Sequence, residues 1–170
     1  MPKDGLAPTK VMQYAAVLKA VCKRAKTVSK TAVVSLPVSA VFHAVVTLPV
    51  AKKEEFDHLL KAEVRKLLPY PLEEAVLDYQ VLPSAVAATT RRVLVNAVPR
   101  SLVVFYTQVF AASGLKLDAL EPESVALARC LIGRDQAVSM IVDIGAERTN
   151  FFIIDGGVPI THHSIEIGGD

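Results

Sequence analysis

The sequence predicts a mixed α/β protein, and three observations carry that prediction. Apolar residues recur at helical spacing in several segments, short β-branched runs bounded by proline and glycine lie between them, and the stretch from residue 138 onward alternates as three consecutive strands. The chain has 170 residues, 52% hydrophobic and 21% charged, which suffices for one ordinary domain or two small lobes and excludes a disordered chain. A net charge of +2 argues neither for nor against nucleic acid. Lys19, Lys23, Arg24, Lys26 and Lys30 bunch at helical spacing and read as a solvated face, so no nucleic-acid partner is expected. Cys22 and Cys130 stand alone without a Cys-x-x-Cys pair, which suits a reducing compartment, and MPKDGLAPTK has no apolar signal core.

Residues 8–26 form the first helix, with Val11, Ala15, Leu18 and Cys22 along one side. The 21 residues between Lys30 and Lys52 contain no Asp, Glu, Lys or Arg and are long enough to span a bilayer. Pro37 and Pro49 interrupt them and Val and Thr dominate, so two buried strands, 31–36 and 41–48, are expected instead. KKEEFDHLLKAEVRKLL is a second helix: Phe56, Leu59, Leu60, Val64, Leu67 and Leu68 share a face, acidic residues open it, Arg65 and Lys66 close it, and Pro69 stops it. Burying those six side chains contributes about 1.5–3 kcal/mol each. Residues 75–82 alternate as a strand with Leu77, Tyr79 and Val81 on one face, LPSAVAATTRR is a hairpin-like loop, and 93–98 is the next strand. A helix opened by Pro99 and capped by Ser101 runs to Gly114, KLDAL is a short strand, and Pro122 stands in the first turn of a helix that runs to Gly133. VSMIVDIG, TNFFIID and VPITHHSIEI then form an antiparallel meander with a tight Gly156-Gly157 turn. The chain stops at Gly168-Gly169-Asp170 straight after a strand, which we read as a piece of a longer protein.

The segment IVDIGAERTNFFIIDGG carries the chemistry. A strand ending in Asp143-Ile144-Gly145, a short turn, and Thr149-Asn150 at the start of the next strand make a phosphate-holding shape. The glycine admits close approach, turn amides and the threonine hydroxyl can donate to phosphate oxygens, and the carboxylate can hold magnesium through its waters. Gly168 and Gly169 can serve another part of a nucleotide in the same way. The bland alternative is a buried hairpin in which Asp143 caps a turn.

VVSLPVSAVFHAVVTLP, EEFDHLLKAEVRKLLPYPLEEAVLDYQVL, VLVNAVPRSLVVFYTQVFAASGLKLDALEPESVALAR and IVDIGAERTNFFIIDGGVPITHHSIEIGGD together resemble the PilM family, actin-like proteins of type IV pilus assembly, over nearly everything from residue 10 onward. LLPYPLEEAVLDYQVL is the most specific part, and FtsA is a more distant relative. The resemblance implies a partial actin-like (ASKHA) fold with an inserted FtsA/PilM-type subdomain. It places residues 1–50 in the first lobe, 51–112 in the inserted subdomain, 113–135 in a return to the first lobe, and 136–170 at the start of the second lobe. It makes Asp143, Gly145, Thr149 and Asn150 the second phosphate loop of an ATP site, with Mg at Asp143. The opening phosphate loop and everything after Asp170 are not in the sequence, so ATP and Mg are expected in the full-length protein and no cofactor for this fragment alone. Glu147 and Arg148 depart from the small or hydroxyl residues of many relatives; a carboxylate about 4 Å from a phosphate costs about 1 kcal/mol in water and about 4 kcal/mol at an effective dielectric of 20.

The same resemblance implies a scaffold on the cytoplasmic face of the inner membrane, peripheral to it. The cleft between first lobe and inserted subdomain would receive the N-terminal peptide of a PilN-like membrane protein, with pilus assembly ATPases as further partners and twitching motility as the outcome. Any ATPase activity is expected to be weak or absent. A GspL-like platform protein of type II secretion is the nearest rival, and an actin-fold small-molecule kinase is a more remote one. Adjacent His162 and His163 face opposite sides of a strand and cannot easily share a metal, Ser35, Ser39 and Ser101 have no readable base, and Glu73-Glu74 read as a solvated turn.

Overall fold

The computed structural model describes residues 8–83 and 89–169. Part of the loop expected at 82–92 and most of the N-terminal MPKDGLAPTK segment lie outside those residues. The elements run α1 (Pro8–Arg24), β1 (Thr31–Leu36), β2 (Phe42–Pro49), α2 (Lys53–Leu67), β3 (Ala75–Val81), β4 (Thr90–Pro99), α3 (Arg100–Ser113), β5 (Lys116–Pro122), α4 (Glu123–Leu127, continued by a π turn over Ala128–Ile132), β6 (Ser139–Ile144), β7 (Thr149–Asp155) and β8 (Val158–Ile165). They build three small sheets: β1 parallel to β5, β2-β4-β3 antiparallel, and the meander β6-β7-β8.

The charge-free segment 31–51 is indeed two strands, separated by a single 3-10 turn at Val38–Ala40. Among the described residues no helix is long and apolar enough to cross a membrane. β1 and β2 do not pair with each other. β1 joins β5, while β2 joins β4 and places His43 opposite Asn96, whose Oδ1 lies 2.9 Å from His43 Nδ1.

α2 follows its pattern closely. Phe56, Leu60 and Val64 are buried on Val46, Leu48, Val93 and Val95, with Leu59 and Leu68 packed alongside. Leu67 is the exception at 51% exposed, because the helix ends there and the chain turns away toward Pro69. β4 is the central strand of this sheet, and its Val93-Leu94-Val95 run is buried on both faces.

α3 packs elsewhere. Its Phe105, Val109 and Phe110 meet Val11 of α1, with Leu18, Ala32, Val34, Leu115 and Leu117 around them. α1 and α3 therefore cover the β1-β5 sheet. The hydrogen-bonded unit β2-β4-β3 starts at Phe42 and ends with β4 at Pro99. A Leu-Pro pair marks where a strand stops, and carries no information about its partner. Ser101 is not the cap of α3: Pro99 holds that position with no side-chain bond, while Gly114 ends the helix at φ 77 as expected. Pro122 likewise stands at the cap of α4 rather than inside it, still paired with Leu36 in the β1-β5 ladder.

The third core joins the meander to the β1-β5 part. Phe152 and Ile154, both fully buried, pack with Ile141, Val38 and Ala128. At the far turn Gly156 and Gly157 both have positive φ (57 and 76), as a two-residue hairpin turn of this hand requires. His162 and His163 face opposite sides as expected: His162 points inward at Phe152 and lies 5.6 Å from His43 between ring centroids, so β8 lies against β2. Burial, and then the neighbouring His43 and His163, hold the His162 imidazole below its ordinary range.

Candidate functional site

The GAER turn fixes the register of β6 on β7, and that register sets Asp143 directly across from Asn150 and Ile144 across from Thr149. On the next strand Ser164 lies across from Asn150. Residues opposite one another share a face of a sheet, so Asp143, Asn150 and Ser164 make one polar row. It borders the apolar row of Ile141, Phe152 and His162, which faces Val38 and Ala128. Asp143 is thus half-buried at the junction between the meander and the β1-β5 part.

All six residues singled out in the sequence come together. Asn150 Nδ2 donates to Asp143 Oδ2 at 3.1 Å, and Gly145 N–H donates to the Arg148 carbonyl at 2.8 Å to close the turn. The chain after β8 comes back over that turn: Gly169 N–H donates to the Gly145 carbonyl at 2.9 Å. A Cβ on Gly168 would stand 1.9 Å from the Ala146 carbonyl oxygen, so only glycine permits this approach. Thr149 differs from expectation. Its hydroxyl proton is committed to the Ile167 carbonyl at 2.7 Å, which ties the returning segment down instead of pointing at a ligand. Arg148 pairs with Glu166 at 2.7 Å on the surface and not with the adjacent Glu147.

Two further residues belong to the site and carry no local signal. Glu123, first residue of α4, faces the Val38 amide and lies close enough to Asp143 to feel its charge. Ser164 Oγ and Asn150 Oδ1 are both buried with no hydrogen-bond partner among the described residues. Behind them, Glu121 at the end of β5 takes two bonds from Arg129, at 2.6 and 2.5 Å, which hold its carboxyl below the usual range.

Burial, opposed by the Val38 amide and reinforced by Asp143, raises the Glu123 carboxyl above the usual range. A carboxyl raised on folding stabilises the fold below its unfolded pKa, and that contribution is lost as pH rises through the folded value. Glu123→Gln keeps the acceptor for Val38 and removes the charge. It is expected to melt higher than the parent chain at pH 7, with the difference vanishing as pH falls below the carboxylate range. A difference in melting temperature that stays constant across that range would contradict this account.

Asp143 and Asn150 Oδ1 of that row, with Glu123 of α4 beside them, offer oxygen acceptors of the kind a hydrated magnesium ion takes. Among the described residues no three His, Cys, Asp or Glu side chains gather into a direct metal site.

A family model described as type IV pilus assembly protein PilM matches residues 4–170. Among solved structures, the chain is similar to one from a PilM-PilN type IV pilus biogenesis complex, with a TM-score of 0.79 and 23% identity over 94% of this chain and 49% of that one. It is also similar to the cytoplasmic domain of EpsL, an inner membrane component of the type II secretion system of Vibrio cholerae, with a TM-score of 0.62 and 13% identity over 89% of this chain and 56% of that one. The chain therefore spans about half the length of these relatives. At such identities the likeness is one of fold, and the fold is a partial actin-like one.

Proposed function

The chain belongs to the PilM family of type IV pilus assembly proteins, and from that premise we propose that it forms part of a cytoplasmic scaffold of the pilus platform that docks a peptide of a membrane-anchored, PilN-like partner. The observation that carries the reading is the match of the family model along nearly the whole chain. The solved complex of similar fold pairs PilM with PilN. The inserted unit contains the β2-β4-β3 sheet with α2, and the partner's peptide takes the cleft between it and the α1-α3 layer. Arg100 at the start of α3 reaches the Ala75 carbonyl of β3 at 3.3 Å across that boundary.

β3 is an edge strand, and Tyr79 and Val81 on it are each 40% exposed. An open backbone row beside half-exposed apolar side chains is what an extended peptide needs. Tyr79 is held in place by Phe56, 5.8 Å away between ring centroids, and by donation to Asp57 at 3.2 Å. The longer protein places the protein at the inner membrane through its partner. It binds ATP with Asp143 toward a hydrated magnesium and the Gly145–Glu147 turn toward a phosphate; magnesium would there supply charge neutralisation. The type II secretion reading shares the fold, and the family model favours the pilus one.

The test is a titration of the full-length protein with the cytosolic N-terminal peptide of a PilN-like protein from the same organism. Saturable binding that a scrambled peptide does not reproduce is expected. Failure of the peptide to bind, or equal binding of the scrambled one, overturns the docking role.

A further inference from the structure

One flank of α1 opens on a cleft of about 340 Å³ lined by Lys19, Lys23, Lys26 and Lys30, with Cys22 and Leu115 between them. The first three lysines recur at helical spacing on that flank. The fourth comes from the loop into β1, where the Lys116 amide donates to the Lys30 carbonyl at 2.7 Å and ties the loop to β5. Lys26 ends the helix at φ 53, a left-handed position where glycine is the usual residue.

Among the described residues no carboxylate lines the cleft, and none of the four lysines is in an ion pair. Elsewhere Lys66, Lys116 and Arg148 each meet an acidic partner. The hydroxyls at the cleft are committed to carbonyls: Thr27 to Cys22 at 3.4 Å, Ser29 to Thr31 at 3.0 Å and Ser113 to Phe110 at 2.7 Å. The donors left facing the opening are ammonium groups, which suit a ligand that only accepts hydrogen bonds and carries several charges. Phosphate meets both demands and packs its charge into little space. An acidic peptide spreads the same charge along a chain longer than the cleft.

We infer that this lysine cleft binds a compact group bearing two or more phosphates, free or borne on a lipid headgroup. The inference goes beyond the pilus reading and does not rest on it. Two probes separate the sources: tripolyphosphate by calorimetry, and vesicles of cardiolipin against vesicles of phosphatidylcholine by sedimentation, each with the chain at low and high salt. At least one is expected to bind, more weakly at high salt, and at least about tenfold more weakly when Lys19, Lys23, Lys26 and Lys30 all become Gln. Changing Lys52, Lys53, Lys61 and Lys66 instead removes the same charge and is expected to leave binding within about twofold. Binding of tripolyphosphate alone identifies a free anion, and binding of cardiolipin alone identifies a lipid. Should the fourfold variant fail to fold, Lys26→Gly relieves the backbone at that position and is expected to weaken binding about threefold without lowering the melting temperature. Equal loss in both lysine sets, full retention in Lys26→Gly, binding of neither probe, or binding of a polyglutamate peptide alone overturns the inference.

Discussion

Phe152→Ala is expected to lower the unfolding free energy by about 3–5 kcal/mol, a large part of the roughly 5–15 kcal/mol that holds a domain folded. The ring is fully buried and meets residues from three places in the chain: Val38 before β2, Ala128 after α4, and Ile141 and Ile154 of the meander. Removing it takes away its burial and leaves a cavity that backbone from all three segments would have to close. The same core also sets the polar row, since Asp143 follows Ile141 by two residues on one face and Asn150 precedes Phe152 by two on the next. Urea unfolding followed by circular dichroism and by tyrosine fluorescence is the measurement. We expect the two probes to shift together, because the tyrosines lie in the other two sheets' surroundings while the lost contact is at the meander. A loss under about 1 kcal/mol would mean that the meander does not share a core with the rest.

What the residues reveal on their own, and what they conceal, divides by the range of the interaction. The face of α2 was legible because Phe56, Leu60 and Val64 repeat at helical spacing, and a helix with that stripe must bury it. The meander was legible because the Gly156-Gly157 pair and the GAER turn fix register locally; once Asp143 lies opposite Asn150, the gathering of the site follows. Pairing over distance was not legible. β2 is separated from β4 by α2 and β3, and nothing in FHAVVTLP distinguishes that partner from β1. α3 follows β4 directly, and nothing in its own pattern announces that its Phe105 and Phe110 meet α1. Glu123 and Ser164 escaped for the same reason: a lone carboxylate at a helix start reads as a dipole partner and a lone serine on a strand as nothing in particular. Thr149 shows the converse, a residue whose position was read correctly while its hydroxyl bonds to a segment, at Ile167, that the motif does not include.

Gly168→Ala is expected to disable the turn while leaving the fold standing. The added methyl would overlap the Ala146–Glu147 peptide, 1.9 Å from the Ala146 oxygen and 2.6 Å from the Glu147 nitrogen, and both sides of that clash are backbone. The segment must lift, and with it go the Gly169-to-Gly145 bond at 2.9 Å and the Thr149-to-Ile167 bond at 2.7 Å. Two such bonds contribute about 1 kcal/mol each, so a stability loss of about 2 kcal/mol is expected, well short of the Phe152 effect. The consequence for ligand is larger in kind, because the lifted segment frees the Ala146 and Glu147 amides to drift from the direction in which a phosphate would meet them. In the full-length protein, Mg-ATP affinity measured by calorimetry is expected to fall about tenfold or more, equivalent to about 1.4 kcal/mol. Gly157→Asn is the matched control: it replaces a glycine at φ 76 with a residue that tolerates such a turn, has open space around it, and lies at the opposite end of the meander, so both stability and affinity should hold. A Gly168→Ala protein that is destabilised but binds Mg-ATP as before would assign the glycine to packing alone and remove the phosphate from this turn.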